Sequence, residues 1–124
     1  LDPSDAENAL AEGVAAAMET QVRLGLTSPA DTFDPHRQPE VRQAKARLDL
    51  AEANDRRNAE LLARRVISPA EAERTRTDLL AARQAHEQAL VESGRLYQTY
   101  RSAVVKLRRL QKAVADTTIT APFS

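Results

Sequence analysis

Apolar residues return along this chain at steps of three and four, and the longest such run lies in its second half. From Ala72 the steps pass Thr75, Leu79, Ala82, His86, Ala89, Ser93, Leu96, Tyr100, Ala103, Leu107, Leu110 and Val114. Ten of these thirteen positions are apolar, while Arg, Glu, Gln and Lys crowd the positions between. A stripe of that period is the buried seam of an amphipathic helix, here about 47 residues over 69–115 and roughly 70 Å long. Such a helix needs a partner for its stripe. Val41, Ala44, Leu48, Ala51, Asp55, Ala59, Leu62 and Val66 supply one in a helix over 40–67, and the short tip near 66–69 forces the two antiparallel. A shorter stripe, Ala6, Leu10, Gly13 or Val14, Ala17, Gln21 and Leu24, predicts a first helix over 4–24, with Asp2 as its cap and Pro3 at its first position.

Between the first two helices the stretch GLTSPADTFDPHRQP, residues 25–39, carries three of the six prolines and reads as a loop. Within it, Ser28-Pro29-Ala30-Asp31 repeats the cap-then-proline order of Ser68-Pro69-Ala70-Glu71 and predicts a single helical turn. The helix lengths on the two sides match, so the loop is expected to bulge opposite Ser93-Gly94, the weakest point of the return helix. The last eight residues, TTITAPFS over 117–124, alternate threonine with isoleucine and predict the start of a β-strand. The expected fold is therefore all-α, a long antiparallel two-stranded coiled-coil hairpin whose descending arm is interrupted by a loop, with strand remnants at both ends. Leu1 and Ser124 are then expected side by side at its base. Alanine at many seam positions buries little area per layer, which makes the hairpin marginal on its own.

Composition sharpens this picture. The chain has 124 residues, 18 Lys+Arg against 18 Asp+Glu, three glycines and 3% aromatics, a mixture that favours long helices over a bulky globular core. Charge sums to −6 over 1–40, +3 over 41–68, −1 over 69–95 and +4 over 96–124. No block has the basic excess of a nucleic-acid footprint. Cysteine is absent, which removes disulfide and thiol chemistry, and no run of 18 apolar residues or signal-peptide pattern occurs.

Catalysis is not expected, because a two-stranded rod offers no concave site, and no cofactor or metal is expected either. His36 in the loop and His86 in the seam are read as far apart, with His86 held by a neighbouring polar group, and the spacing lacks a zinc motif. Tyr97 and Tyr100 are assigned to packing between helices.

The stretch RRNAELLARRVISPAEAE, residues 56–73, asks why four arginines gather before a bend. Ser68 stands before Pro69 and three residues before Glu71, so its hydroxyl is placed to cap the return helix, a contribution of about 1 kcal/mol. Leu61 lies beside the seam residue Leu62, which leaves one of the two facing outward near an exposed tip. Arg57 is expected to pair with Glu60 at helical spacing, a weak surface interaction. Arg56, Arg57, Arg64 and Arg65 place positive charge at the tip, either as a solvated face or as a match for acidic groups and carbonyls on a partner.

A helical excursion from LDPSDA back to TTITAPFS resembles the hairpin of the HlyD-type membrane fusion proteins, the periplasmic adaptors of tripartite efflux and secretion systems. The opening residues resemble adaptors of major-facilitator pumps and the bend those of RND pumps. The resemblance spans nearly the whole chain apart from the 25–39 loop. In that family an arginine, a leucine four residues on and a serine seven further mark the tip that docks on TolC-type outer-membrane channels. Arg57, Leu61 and Ser68 stand at that spacing, with Glu73 where an aspartate is more usual, and Arg64 and Arg65 beside them.

The resemblance implies a split lipoyl-like domain flanking the hairpin, edged by residues 1–3 and 117–124, around a helical part over 4–116. It also implies an inner-membrane transporter as partner, self-association into a ring or tube that is hexameric in the parent protein, and a periplasmic location in a Gram-negative bacterium with an inner-membrane anchor. An RNA-binding helical arm like that of seryl-tRNA synthetase, weakened by the charge balance, and a purely structural spacer are the competing readings.

Overall fold

The computed structural model describes residues 3–120, with side chains over 4–116. The described chain is all helical, in the order α1 (Pro3–Leu24), a 3-10 turn (Pro35–Arg37), α2 (Pro39–Ala63) and α3 (Pro69–Thr120). Proline opens every one of these elements, at the position where a missing N–H costs a helix nothing.

Two compact units divide the chain. One holds the described residues up to Phe33 together with those from Arg95 onward; the other is Asp34–Gly94. In the first unit, α1 lies along the C-terminal part of α3. Close approach begins at Gly13, where an added Cβ would stand 3.2 Å from Leu110 Cδ1 and 3.6 Å from Leu107 Cδ1. Further along, the Tyr100 hydroxyl donates a 3.0 Å hydrogen bond to Gln21 Oε1. Burial raises the Tyr100 phenol above its ordinary pKa, and the neighbouring Tyr97 pushes it the same way.

The end of α1 is closed by paired backbone bonds, Gly25 N–H to Val22 O and Leu26 N–H to Gln21 O, both 3.0 Å. This is the Schellman arrangement, which needs a left-handed residue where Gly25 sits with φ +71°. The turn swings Leu26 inward beside Leu24 and Tyr100, and Phe33, Leu96, Tyr97 and Val104 pack around them. Phe33 stacks on Tyr97 with ring centroids 4.4 Å apart and planes within 6°. Leu26 and Phe33 thus pin the 25–33 segment to α3 just beyond Ser93-Gly94, because they give it apolar surface to bury, while Gly25, Thr27, Pro29, Ala30 and Thr32 stay exposed.

Ser28-Pro29-Ala30-Asp31 forms a hydrogen-bonded turn, Asp31 N–H to Ser28 O at 3.1 Å, in place of the expected helical turn. Asp31 reaches back and accepts from both the N–H and the hydroxyl of Thr27, at 3.0 and 2.9 Å. That local side-chain bonding competes with helix formation. The helical turn of this region occurs six residues later, where Asp34 Oδ1 accepts from His36 N–H at 3.0 Å across Pro35.

In the second unit, α2 and the first part of α3 pack in a hairpin-like, antiparallel way. A groove of about 250 Å³ is lined by Arg47, Ala51 and Asn54 from α2 and by Ala82, Thr75 and Asp78 from α3. Val41, at 1% exposure, is the most enclosed large side chain, with Leu48 and Leu79 also buried.

The seams follow the sequence closely. All thirteen α3 positions from Ala72 to Val114 are buried or half-buried, as are all the α1 positions. On α2 the stripe holds from Val41 to Asp55 and then shifts, with Asn58 half-buried and Ala59 exposed. α3 runs unbroken through Ser93-Gly94 and continues to Thr120. Residues 117–120 are thus helical rather than strand, since β-branched residues lower helix propensity by only a few tenths of a kcal/mol each and the preceding turns are already in place. The rest of the expected strand, the Asp2 cap, and the juxtaposition of Leu1 and Ser124 lie outside the described residues.

Candidate functional site

The turn between α2 and α3 gathers the residues singled out by spacing. α2 ends at Ala63, four residues before the expected end at 67. Arg65 N–H bonds Leu62 O and Val66 N–H bonds Leu61 O, each at 2.9 Å, so the helix closes with a second Schellman pair. Its left-handed position is held by Arg65 at φ 61°, the one non-glycine with positive φ among the described residues. A side chain there costs roughly 1–2 kcal/mol relative to right-handed backbone.

The early stop changes which apolar residues face out. Val66, expected on the seam, is 65% exposed, and Ile67 is half-buried in its place. Leu61 and Leu62 are both half-buried, so neither is the outward leucine that was expected. The helix rotates by about 100° per residue; reversing the chain at 64–65 therefore removes Val66 from the α2 stripe.

Ser68 takes the capping role read from the sequence. Its Oγ accepts from Glu71 N–H at 3.2 Å, and its backbone oxygen accepts from Ala72 N–H at 3.2 Å. The hydroxyl proton stays available to donate, so capping and partner contact are chemically compatible. Arg57 and Leu61 share one face of α2 by their spacing of four, and the C-cap residue Arg64 continues it three positions on. Arg56, Arg57, Arg64, Arg65 and Glu73 are all exposed. Glu60 pairs with Arg64 at 3.6 Å instead of Arg57, through side chains that are both 69% exposed. The pair adds only a few tenths of a kcal/mol.

The turn therefore presents exposed cations, one exposed valine and one hydroxyl on a frame fixed by backbone bonds. It has the elements of a contact surface. The residue that sequence reasoning missed is Val66, whose exposure follows from the placement of the helix stop; no glycine lies between Leu61 and Ser68, so a left-handed stop in this stretch falls on a residue with a side chain.

The histidines also depart from expectation. His36 and His86 are neighbours, with ring centroids 6.5 Å apart and planes inclined by 37°. His86 keeps its seam position, yet its Nε2 is buried with no hydrogen-bond partner, so the expected polar neighbour does not hold that nitrogen. Among the described residues no group of three or more His, Cys, Asp or Glu converges, and no helix is long and apolar enough to cross a membrane. Comparison with protein-family models, with curated proteins and with solved structures finds no match to this chain.

Proposed function

We propose that the chain is the helical hairpin of a periplasmic adaptor, a two-stranded coiled coil set between halves of a lipoyl-like domain, which links an inner-membrane transporter to a TolC-type outer-membrane channel. The observation that carries this reading is the α2–α3 turn. Arg57, Leu61 and Ser68 stand there at the spacing that the adaptor resemblance requires, and the turn offers Val66 at 65% exposure amid exposed arginines. Exposed cations beside an apolar side chain, on a turn whose backbone is fixed by hydrogen bonds, suit a docking tip. In this role the hairpin acts by assembly rather than catalysis: Arg57, Arg64 and Arg65 meet carbonyls or carboxylates on the channel rim, and Ser68 donates a hydrogen bond.

Photo-cross-linking in cells from positions 57 and 68 tests the reading. Adducts with the outer-membrane channel are expected. Their absence at both positions, together with full efflux or export in a variant changed at Arg57, Leu61 and Ser68, overturns it in favour of a spacer.

A further inference from the structure

His86 Nε2 is closed off from solvent and no group of the protein hydrogen-bonds to it, although an unmet polar atom of that kind costs about 1–3 kcal/mol. Buried polar groups in folded proteins nearly always have a partner, and an orphan points to water, an ion or a chemical role. The nearest ring is another imidazole. His36 is exposed, and it sits on the short 3-10 turn fixed by Asp34 and Pro35. We propose that His36 and His86 form a two-imidazole site for a divalent first-row transition ion, of the zinc, copper or nickel class, with water in the remaining positions.

Imidazole nitrogen is the ligand these ions share, and sites with open positions filled by water are common. Metal–nitrogen bonds of about 2.0–2.1 Å place the centroids of two rings on one ion about 5 Å apart at a tetrahedral angle and about 6.5 Å apart when opposed. The observed 6.5 Å lies at the wide end of that span. A movement of about 1.5 Å by the exposed ring of His36 brings the pair to the tetrahedral distance. No third histidine, cysteine or carboxylate joins them among the described residues, so the site is a weak, exchangeable one. Both residues belong to the Asp34–Gly94 unit, and a bound ion would tie the 3-10 turn to α3.

Calorimetric titration of the tag-free chain with ZnCl2, and separately with NiCl2, tests the assignment. One ion per chain is expected in the micromolar range, weakened about tenfold or more in His36→Ala and in His86→Ala. A ligand swap separates coordination from mere packing: His36→Cys should keep zinc binding, whereas His36→Gln should lose it. Binding that is unchanged in both alanine variants, or no saturable binding below about 1 mM, overturns the site. Helicity by circular dichroism is followed for His86→Ala, which removes a half-buried ring; should that variant unfold, the exposed His36 variants decide the matter alone.

Discussion

Two helix ends in this molecule are built with the same backbone bonds and put to opposite use. At the end of α1 the left-handed position is Gly25 and the next residue, Leu26, is 9% exposed in a core of Leu24 and Tyr100. At the end of α2 the left-handed position is Arg65 and the next residue, Val66, is 65% exposed. A Schellman turn ordinarily combines a glycine with a buried apolar residue after it, so the α1 end has both stabilising elements and the α2 end has neither. The α2 turn forgoes local stability and presents charge and an apolar side chain outward, and its strain at Arg65 persists because the backbone bonds on either side over-determine it.

Substitutions can break that contrast. The largest effect is expected for Leu26→Ala, which empties a packed position and should lower stability by about 2–4 kcal/mol in chemical denaturation. Val66→Ala should change it by less than about 0.5 kcal/mol; a similar loss at both sites would erase the distinction. Gly25→Ala is expected to destabilise by about 1–2 kcal/mol through backbone strain alone, because no atom lies within 4 Å of the added Cβ. Arg65→Gly should act with the opposite sign and raise the melting temperature, by about 1 kcal/mol of added stability. If Arg65 serves docking, the same variant should weaken channel cross-linking while the fold gains.

The smallest effect is confined to alkali. Tyr100 has a folded-state pKa raised chiefly by burial, so the fold favours the neutral phenol. Its contribution is complete below the ordinary tyrosine value of about 10 and is lost as pH rises through the higher folded value. Stability measured between neutral pH and strong alkali should therefore fall above pH 10 in the native chain. The fall should be shallower in Tyr100→Phe, which also loses the bond to Gln21.

Much of the fold is legible because helical seams repeat. The three-four spacing placed all thirteen α3 positions on the packed side, and Pro3 and Pro69 marked two helix starts, while α2 begins at Pro39, one residue before the expected 40. Ser68 was legible as a cap for the same reason, since its partner lies three residues away in sequence. What was hidden depends on contacts between distant residues. Phe33 looked like loop until Tyr97 met it, and His36 lies fifty positions from the histidine it faces. The end of α2 was misplaced by four residues because Val66 and Ile67 continue the apolar pattern beyond the point where the backbone reverses. A left-handed arginine leaves no mark in a hydrophobic pattern.

The groove between α2 and α3 in the Asp34–Gly94 unit ties the lengths of the two arms together. Arg47, Ala51 and Asn54 of α2 and Thr75, Asp78 and Ala82 of α3 line one groove, each set at the three-four spacing of a single helix face. One residue inserted into α2 or α3 alone would rotate every side chain beyond it by about 100° and carry the seam out of contact. Arms of this kind can lengthen only by matched additions of about seven residues on both sides at once, so length variation among such hairpins should come in paired multiples of two helical turns.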